Sequence, residues 1–199
     1  MSPERDDVEL VTGAQAGDTA AFGELVRRYQ QAAFRTAYLV VRDAASAEDV
    51  TQEGFVRAYQ AIRTFRPGDP FRPWVLRIVT NLALNEVRGR GRRAGLLERV
   101  GVLHRREFES VPAPEAVALA TERQRQLWRA ISELPEDDRL VLYLRYFVEL
   151  QEKEIALVIG KAPGTVKSRL HRSGERLRRV IETRYPGLRP AESGGGGGG

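Results

Sequence analysis

The stretch "EIALVIGKAPGTVKSRLHRSGERLRR", residues Glu154–Arg179, starts apolar, breaks at a glycine and a proline, and ends almost solidly basic. Ala156 is a small residue of the kind needed where two helices cross closely. Gly160 follows four residues later and suits a sharp turn with positive φ. Val166 then returns an apolar side chain to the core. This spacing predicts a helix-turn-helix.

The second helix of this motif is strongly one-sided in charge. Between Lys161 and Arg179 there are seven Lys or Arg residues and one acid, Glu175. A solvated helix usually mixes signs to gain pairs four residues apart, and phosphate binding would relieve the repulsion. A basic surface helix in an ordinary bundle is the alternative, but with the turn spacing we favour DNA binding. The candidate DNA-contacting residues are Thr165, Val166, Lys167, Ser168, Arg169, His171, Arg172 and Arg176.

Composition limits the classes of function. The chain has 199 residues, a net charge of +5 and no cysteine, which excludes disulfides and thiolate metal sites and gives no sign of a cofactor. The basic balance favours a polyanionic partner, either nucleic acid or an anionic membrane surface. The acidic, polar start argues against a signal peptide, and no apolar run is long enough for membrane insertion. We therefore expect a soluble, cytoplasmic protein.

Helical periodicity defines the organisation of the chain. It is present in residues 8–93, fades in the glycine- and proline-containing residues 94–120, and returns in residues 121–185. Residues 186–199 are glycine-rich and are expected to form a disordered tail. We predict an all-α protein of two small helical domains joined by a flexible linker, the second domain containing the helix-turn-helix.

Capping residues place the expected helices of the first domain. Asp18 or Thr19 suits the start of one helix, and Ser46 suits the start of the next. A third helix is expected over residues 71–93, with Pro73 tolerated in its first turn.

That third helix carries a second polar stripe, because four of its polar residues are spaced 4, 4 and 3 apart. Asparagine can hydrogen-bond base edges and arginine can bind phosphate. The stripe consists of Arg77, Asn81, Asn85 and Arg88.

The segment "FRPGDPF", residues 65–71, precedes this helix and is interrupted by two prolines and a glycine. Phe65, Phe71 and Trp74 lie in or beside it. They suit stacking on unpaired bases, although aromatic residues at helical spacing are more often core.

The second helix carries Asp49, Gln52, Glu53 and Val56 on one face. On a basic protein this stripe is either its solvated side or a docking face for a basic partner. Spacing alone favours the solvated reading.

Four segments in order resemble the extracytoplasmic-function (ECF) sigma factors of bacterial RNA polymerase. They are "AFGELVRRY", "DAASAEDVTQEGFVRAY", "FRPGDPFRPWVLRIVTNLALNEVR" and "LPEDDRLVLYLRYFVELQEKEIALVIGKAPGTVKSRLHRSGERLR". The resemblance implies a first domain that binds the −10 element and core polymerase, through its beta-prime and beta subunits. It implies a second domain that binds the −35 element, melting of promoter DNA, and often control by an anti-sigma factor.

The resemblance also implies roles for particular residues. "DVTQE" matches the segment that docks on the beta-prime coiled coil. The resemblance therefore favours a docking role for Asp49, Gln52 and Glu53 over a solvated surface. "FRPGDPF" resembles the loop that captures a flipped −10 base, which implicates Phe65, Gly68 and Asp69, with Asn81 and Asn85 on the helix behind. "GTVKSRLHR" matches the −35 recognition helix, whose implied readers are Thr165, Lys167, Ser168, Arg169 and Arg172.

Two other classes of function are alternatives to a sigma factor. A conventional helix-turn-helix repressor or activator would need a dimerisation surface or an effector pocket, and the sequence offers no clear candidate for either. A hydrolytic enzyme would need a Ser/His/Asp set, a glycine-rich phosphate loop or an HExxH motif, and none occurs. We therefore expect a promoter-specificity subunit without catalytic activity of its own.

Overall fold

The computed structural model describes residues 6–98 and 122–188, and within these ranges the chain is helical without strands. The N-terminal helices are α1 (Asp7–Gln15), α2 (Thr19–Val41), α3 (Ala44–Ala61) and α4 (Phe71–Glu98). The C-terminal helices are α5 (Glu122–Ser132), α6 (Glu136–Tyr146), α7 (Glu152–Ile159) and α8 (Pro163–Arg184). Helix α4 continues beyond the expected boundary at residue 93, and the remainder of the expected linker lies outside the described residues.

Aspartates cap the two helices that support α4. The Asp18 carboxylate accepts hydrogen bonds from the backbone N–H groups of Ala20 and Ala21, so Asp18 caps α2. Helix α3 is capped by Asp43, which accepts from the Ser46 N–H at 2.8 Å. The expectation that Ser46 is the cap is wrong, because Asp43 begins the helix three residues earlier and Ser46 lies in its first turn.

Helix α4 is central to the N-terminal domain and packs on both α2 and α3. Gly54 permits the close approach of α3, since a Cβ there would lie 2.6 Å from Cγ2 of Val79. At the start of α4, Phe71 packs against Phe65 and Trp74 with ring centroids 5.9 and 5.4 Å away. These contacts fix the helix and leave one of its faces outside the core.

Helix α1 was not predicted, although Asp6 is a capping residue and Leu10, Val11 and Ala14 give it one apolar face. Its last residue, Gln15, donates from its side chain to the carbonyl oxygens of Ile62 at 2.9 Å and Phe65 at 2.7 Å. Helix α1 therefore anchors the chain where it enters the loop before α4.

In the C-terminal domain, α8 packs against α6 and α7. Beyond it, Pro186–Leu188 form a 3₁₀ turn in which Leu188 is buried and its N–H donates to the Tyr185 carbonyl at 2.9 Å. The expected disordered tail therefore does not begin at residue 186, because residues 186–188 form a turn that buries Leu188. Residues 189–199 lie outside the described residues.

The two domains pack together, with α4 against α7 and α2 against α6. Arg139 is buried between them and donates to the Leu134 carbonyl at 2.7 Å and the Leu39 carbonyl at 3.0 Å. Burial, together with the nearby Arg42, lowers the pKa of Arg139 to about 10. Arg42 in turn donates to the Ser132 carbonyl at 2.7 Å. Arginine–carbonyl hydrogen bonds thus contribute to the domain contact.

Candidate nucleic-acid interface

The helix-turn-helix is formed by α7 and α8. Gly160 ends α7 in the left-handed conformation with φ 64°, and Pro163 opens α8 at a position that needs no N–H donor. Ala156 is buried where the helices cross, and Val166 is fully buried. The spacing prediction for this motif is confirmed. The expectation that Val166 contacts DNA is wrong, because its side chain belongs to the core.

The remaining candidate residues of α8 fall into two groups. Five are exposed and form no ion pair with the described residues: Thr165, Lys167, Ser168, His171 and Arg172. The other two form ion pairs within the protein: Arg169 pairs with Asp137, and Arg176, whose side chain is 48% exposed, pairs with Asp138 at 2.5 Å. The exposed group presents cations and hydroxyls on one face, which suits phosphate and base-edge contacts in a DNA groove.

The polar stripe of α4 lies on the surface. Arg77, Asn81, Asn85 and Arg88 are all exposed, on the side opposite the buried Val75, Val79 and Ala83. Within the stripe, Arg88 donates a long hydrogen bond of 3.5 Å to the Asn85 Oδ1. The amides are therefore available to hydrogen-bond a ligand.

The loop before α4 is exposed from Arg66 to Pro70. Gly68 has φ 92°, a conformation that favours glycine, and the Asp69 N–H donates to the Arg66 carbonyl at 3.2 Å. Phe65 and Phe71 are buried, which corrects the expectation that their rings offer stacking surface to a base. Trp74 is half-buried against both rings. The exposed part of the loop therefore offers backbone groups and the Asp69 carboxylate.

Helix α3 presents a separate surface. Asp49, Gln52 and Glu53 are exposed on one face, and Glu53 forms an exposed ion pair with Arg57, with Nε and Oε1 2.7 Å apart. Val56 is half exposed on the same helix. A single exposed apolar side chain is ordinary on a protein surface, so this face suits either solvated helix or a docking surface.

The described residues contain no helix both long and apolar enough to cross a membrane. Within the same part of the chain, His, Asp and Glu residues form no group of three placed to hold a metal ion.

A helix-turn-helix with a basic exposed helix, joined to a second helical domain with its own exposed polar stripe, defines a DNA-binding protein. Residues 25–93 match the Sigma-70 region 2 family, and residues 124–177 match the Sigma-70 region 4 family. The chain belongs to the ECF sigma factors and is a promoter-recognising subunit of RNA polymerase.

Curated relatives match along nearly their whole length. The RNA polymerase sigma-H factor of Pseudomonas aeruginosa is 36% identical over 188 residues, which cover 92% of this chain and 97% of that protein. The ECF RNA polymerase sigma-E factor of Escherichia coli K12 is 36% identical over 190 residues, with the same two coverages.

Solved structures share the fold. CnrH, solved in complex with the cytosolic domain of CnrY, is 27% identical with a TM-score of 0.63, and the match covers 89% of this chain and 98% of CnrH. RpoE of Bartonella quintana, solved with the anti-sigma factor NepR, is 23% identical with a TM-score of 0.67, covering 82% of this chain and 98% of RpoE.

Proposed function

We propose that α8 reads the −35 element as duplex DNA. The observation that carries this assignment is the exposed face of α8, which holds Thr165, Lys167, Ser168 and Arg172 while Val166 anchors the opposite side in the core. Arginine and lysine pair with guanine or phosphate, and hydroxyls accept and donate to either. His171 lies exposed on the same helix and adds a further hydrogen-bonding group.

The −10 element is assigned to the N-terminal domain. The amides of Asn81 and Asn85 offer donors and acceptors to base edges, with Arg77 and Arg88 at the ends of the stripe for phosphate. The preceding loop supplies Gly68 and Asp69. A base that leaves the stack costs a few kcal/mol, which contacts to its hydrogen-bonding edge offset. In this proposal the loop and the stripe hold a flipped base and so favour the melted promoter.

Core polymerase is assigned to the exposed face of α3, on the resemblance of "DVTQE" to the segment that docks on the beta-prime subunit. Replacing Gln52 with Ala and Glu53 with Lys should abolish co-purification with core polymerase, because the charge at position 53 is reversed and the amide of Gln52 is lost. Helical circular dichroism should not change, since both side chains are exposed. A double variant that still binds core polymerase normally would show that this face is only solvated surface.

Further partners follow from the family resemblance. An anti-sigma factor is proposed as a regulator, and the relative CnrH was solved bound to another protein, the cytosolic domain of CnrY. The beta subunit is proposed as a second contact on core polymerase. The chain itself is proposed to have no catalytic activity, the chemistry of RNA synthesis belonging to core polymerase.

In vitro transcription tests the whole assignment. Sigma-free core polymerase is combined with the full chain and a genomic promoter library, and initiation sites are mapped. Specific initiation from a common −35 and −10 pattern is expected. Binding of duplex DNA without core polymerase, and without any initiation, would instead support a conventional helix-turn-helix regulator.

A further inference from the structure

Three arginines of α8 have the same predicted role from sequence but differ in their ion pairing in the structure. Arg169, Arg172 and Arg176 are spaced three and four residues apart and therefore form one stripe along the helix. The outer two are bound by adjacent carboxylates in the first turn of α6, at Asp137 and Asp138. Arg172, between them, is exposed and has no carboxylate within 4.0 Å among the described residues.

The pair between Arg176 and Asp138 is the more firmly held of the two. Asp138 is only 7% exposed, and its Oδ2 lies 2.5 Å from the guanidinium of Arg176, whose side chain is 48% exposed. A buried carboxylate is strongly disfavoured without a partner, so Arg176 cannot move to a DNA phosphate without leaving this charge unpaired. The pair therefore fixes the rotation of α8 relative to α6.

In the pair between Arg169 and Asp137, the carboxylate is exposed to solvent. Asp137 is 63% exposed, whereas the Arg169 side chain is 24% exposed and its Nε is buried without a hydrogen-bond partner. The carboxylate thus competes with DNA phosphate for the same guanidinium. Removing its charge would free Arg169 to turn outward.

We propose that Asp137 and Asp138 are positioning residues of the −35 interface. Their ion pairs set the orientation of α8 and keep Arg169 and Arg176 from binding the DNA backbone. Arg172 and Lys167 then make the cationic contacts to the phosphates. Fewer phosphate contacts reduce binding that is independent of sequence, and a larger share of the affinity then comes from base contacts. This inference rests on the proposed assignment of α8 to the −35 element.

Salt dependence separates contact from positioning. Holoenzyme is reconstituted from the full chain and core polymerase, and its probe is a promoter fragment selected by the wild-type holoenzyme from a random library. Each cation on a phosphate contributes about −0.9 to the slope of log K against log salt. Arg172→Ala should make the slope shallower by about 0.9, whereas Arg169→Ala and Arg176→Ala should leave it unchanged. A shallower slope for Arg169→Ala or Arg176→Ala, equal to that for Arg172→Ala, would overturn the proposal.

The carboxylate is tested by Asp137→Asn. This variant should make the slope steeper by about 0.9, and it should bind the same fragment with a scrambled −35 segment more tightly than wild type does. Glu122→Gln is the matched control, because it removes the same charge and breaks an exposed 2.9 Å pair with Arg125, a residue of α5 rather than of α8. An unchanged slope for Asp137→Asn, or an equal change in the control, would refute the proposal.

A neutral double variant guards against unfolding. Arg176→Ala leaves Asp138 unpaired and is expected to lower the melting temperature, whereas Asp138→Asn with Arg176→Gln removes both charges together. The double variant should melt at a higher temperature than Arg176→Ala and should keep the wild-type salt slope. A double variant with a shallower slope would show that Arg176 touches DNA. If Arg172→Ala also leaves the slope unchanged, the −35 assignment itself fails.

Discussion

Helices α4 and α8 are the two long helices that carry the proposed DNA contacts, and they differ in both chemistry and support. The stripe on α4 has two amides between two arginines, whereas the exposed face of α8 is dominated by cations and hydroxyls. Helix α4 packs on α2, α3 and α7, while α8 buries only Val166 and Ser173 completely. An unpaired base offers a hydrogen-bonding edge that suits amides on a firm platform, and duplex DNA offers phosphates and groove edges that suit cations.

The largest expected effect concerns the anchor of α8. Val166→Ala should lower the free energy of unfolding by about 2–3 kcal/mol, because it opens a cavity beneath a helix with few other buried residues. Urea unfolding followed by circular dichroism measures it. Val8→Ala, at a position that is 48% exposed, is the matched control and should change stability by less than about 0.5 kcal/mol. Equal effects would mean that Val166 does not hold the recognition helix.

The support of α4 is tested at its closest contact with α3. Gly54→Ala would place a Cβ 2.6 Å from Cγ2 of Val79, so either the Val79 side chain must rotate or the helices must separate, at a cost of about 1–3 kcal/mol. Gly23→Ala is the control in the same domain, since its Cβ would meet no atom closer than 3.9 Å. Thermal melting should separate the two variants. A Gly54→Ala protein as stable as wild type would show that α4 does not pack tightly on α3, contrary to the proposed difference between α4 and α8.

The smallest expected effect concerns a glycine inside α8, and here the substitution should increase the free energy of unfolding. Gly174 is exposed in the helix interior, and a Cβ there would meet nothing within 4 Å. Gly174→Ala should therefore stabilise the protein by about 0.5–1 kcal/mol, because alanine loses less backbone entropy in a helix. A differential scanning calorimetry trace should show a higher melting temperature. A decrease would indicate that the glycine accommodates a bend that alanine opposes.

Local sequence patterns predicted the helix-turn-helix, because Ala156, Gly160 and Val166 lie within eleven residues and each answers one geometric need. They also predicted that the polar residues of α4 share an exposed face. The ion pairs of Arg169 and Arg176 were not predictable, since their partners lie more than 30 residues away and the acids of α6 read as an ordinary acidic first turn.

Aromatic residues were the ambiguous case. Phe65 and Phe71 flank a loop rich in breakers, where spacing does not distinguish a stacking surface from a core. Only the packing of Trp74 and of Tyr29, whose ring centroid is 5.7 Å from that of Phe71, places Phe71 inside. The cap of α3 was missed for a related reason, because Asp43 and Ser46 are both good capping residues and the chain offers both.

The division of labour between α4 and α8 is tested most directly by comparing Asn81→Ala and Arg172→Ala in the same holoenzyme assay. Gel shift measures total promoter binding, and permanganate reactivity of unpaired thymines measures melting. Asn81→Ala should bind nearly as wild type but show reduced thymine reactivity, because a flipped base exists only after melting. Arg172→Ala should weaken binding by about 1–3 kcal/mol while reactivity per bound complex stays unchanged. Wild-type reactivity in Asn81→Ala, or unchanged binding in Arg172→Ala, would contradict the account.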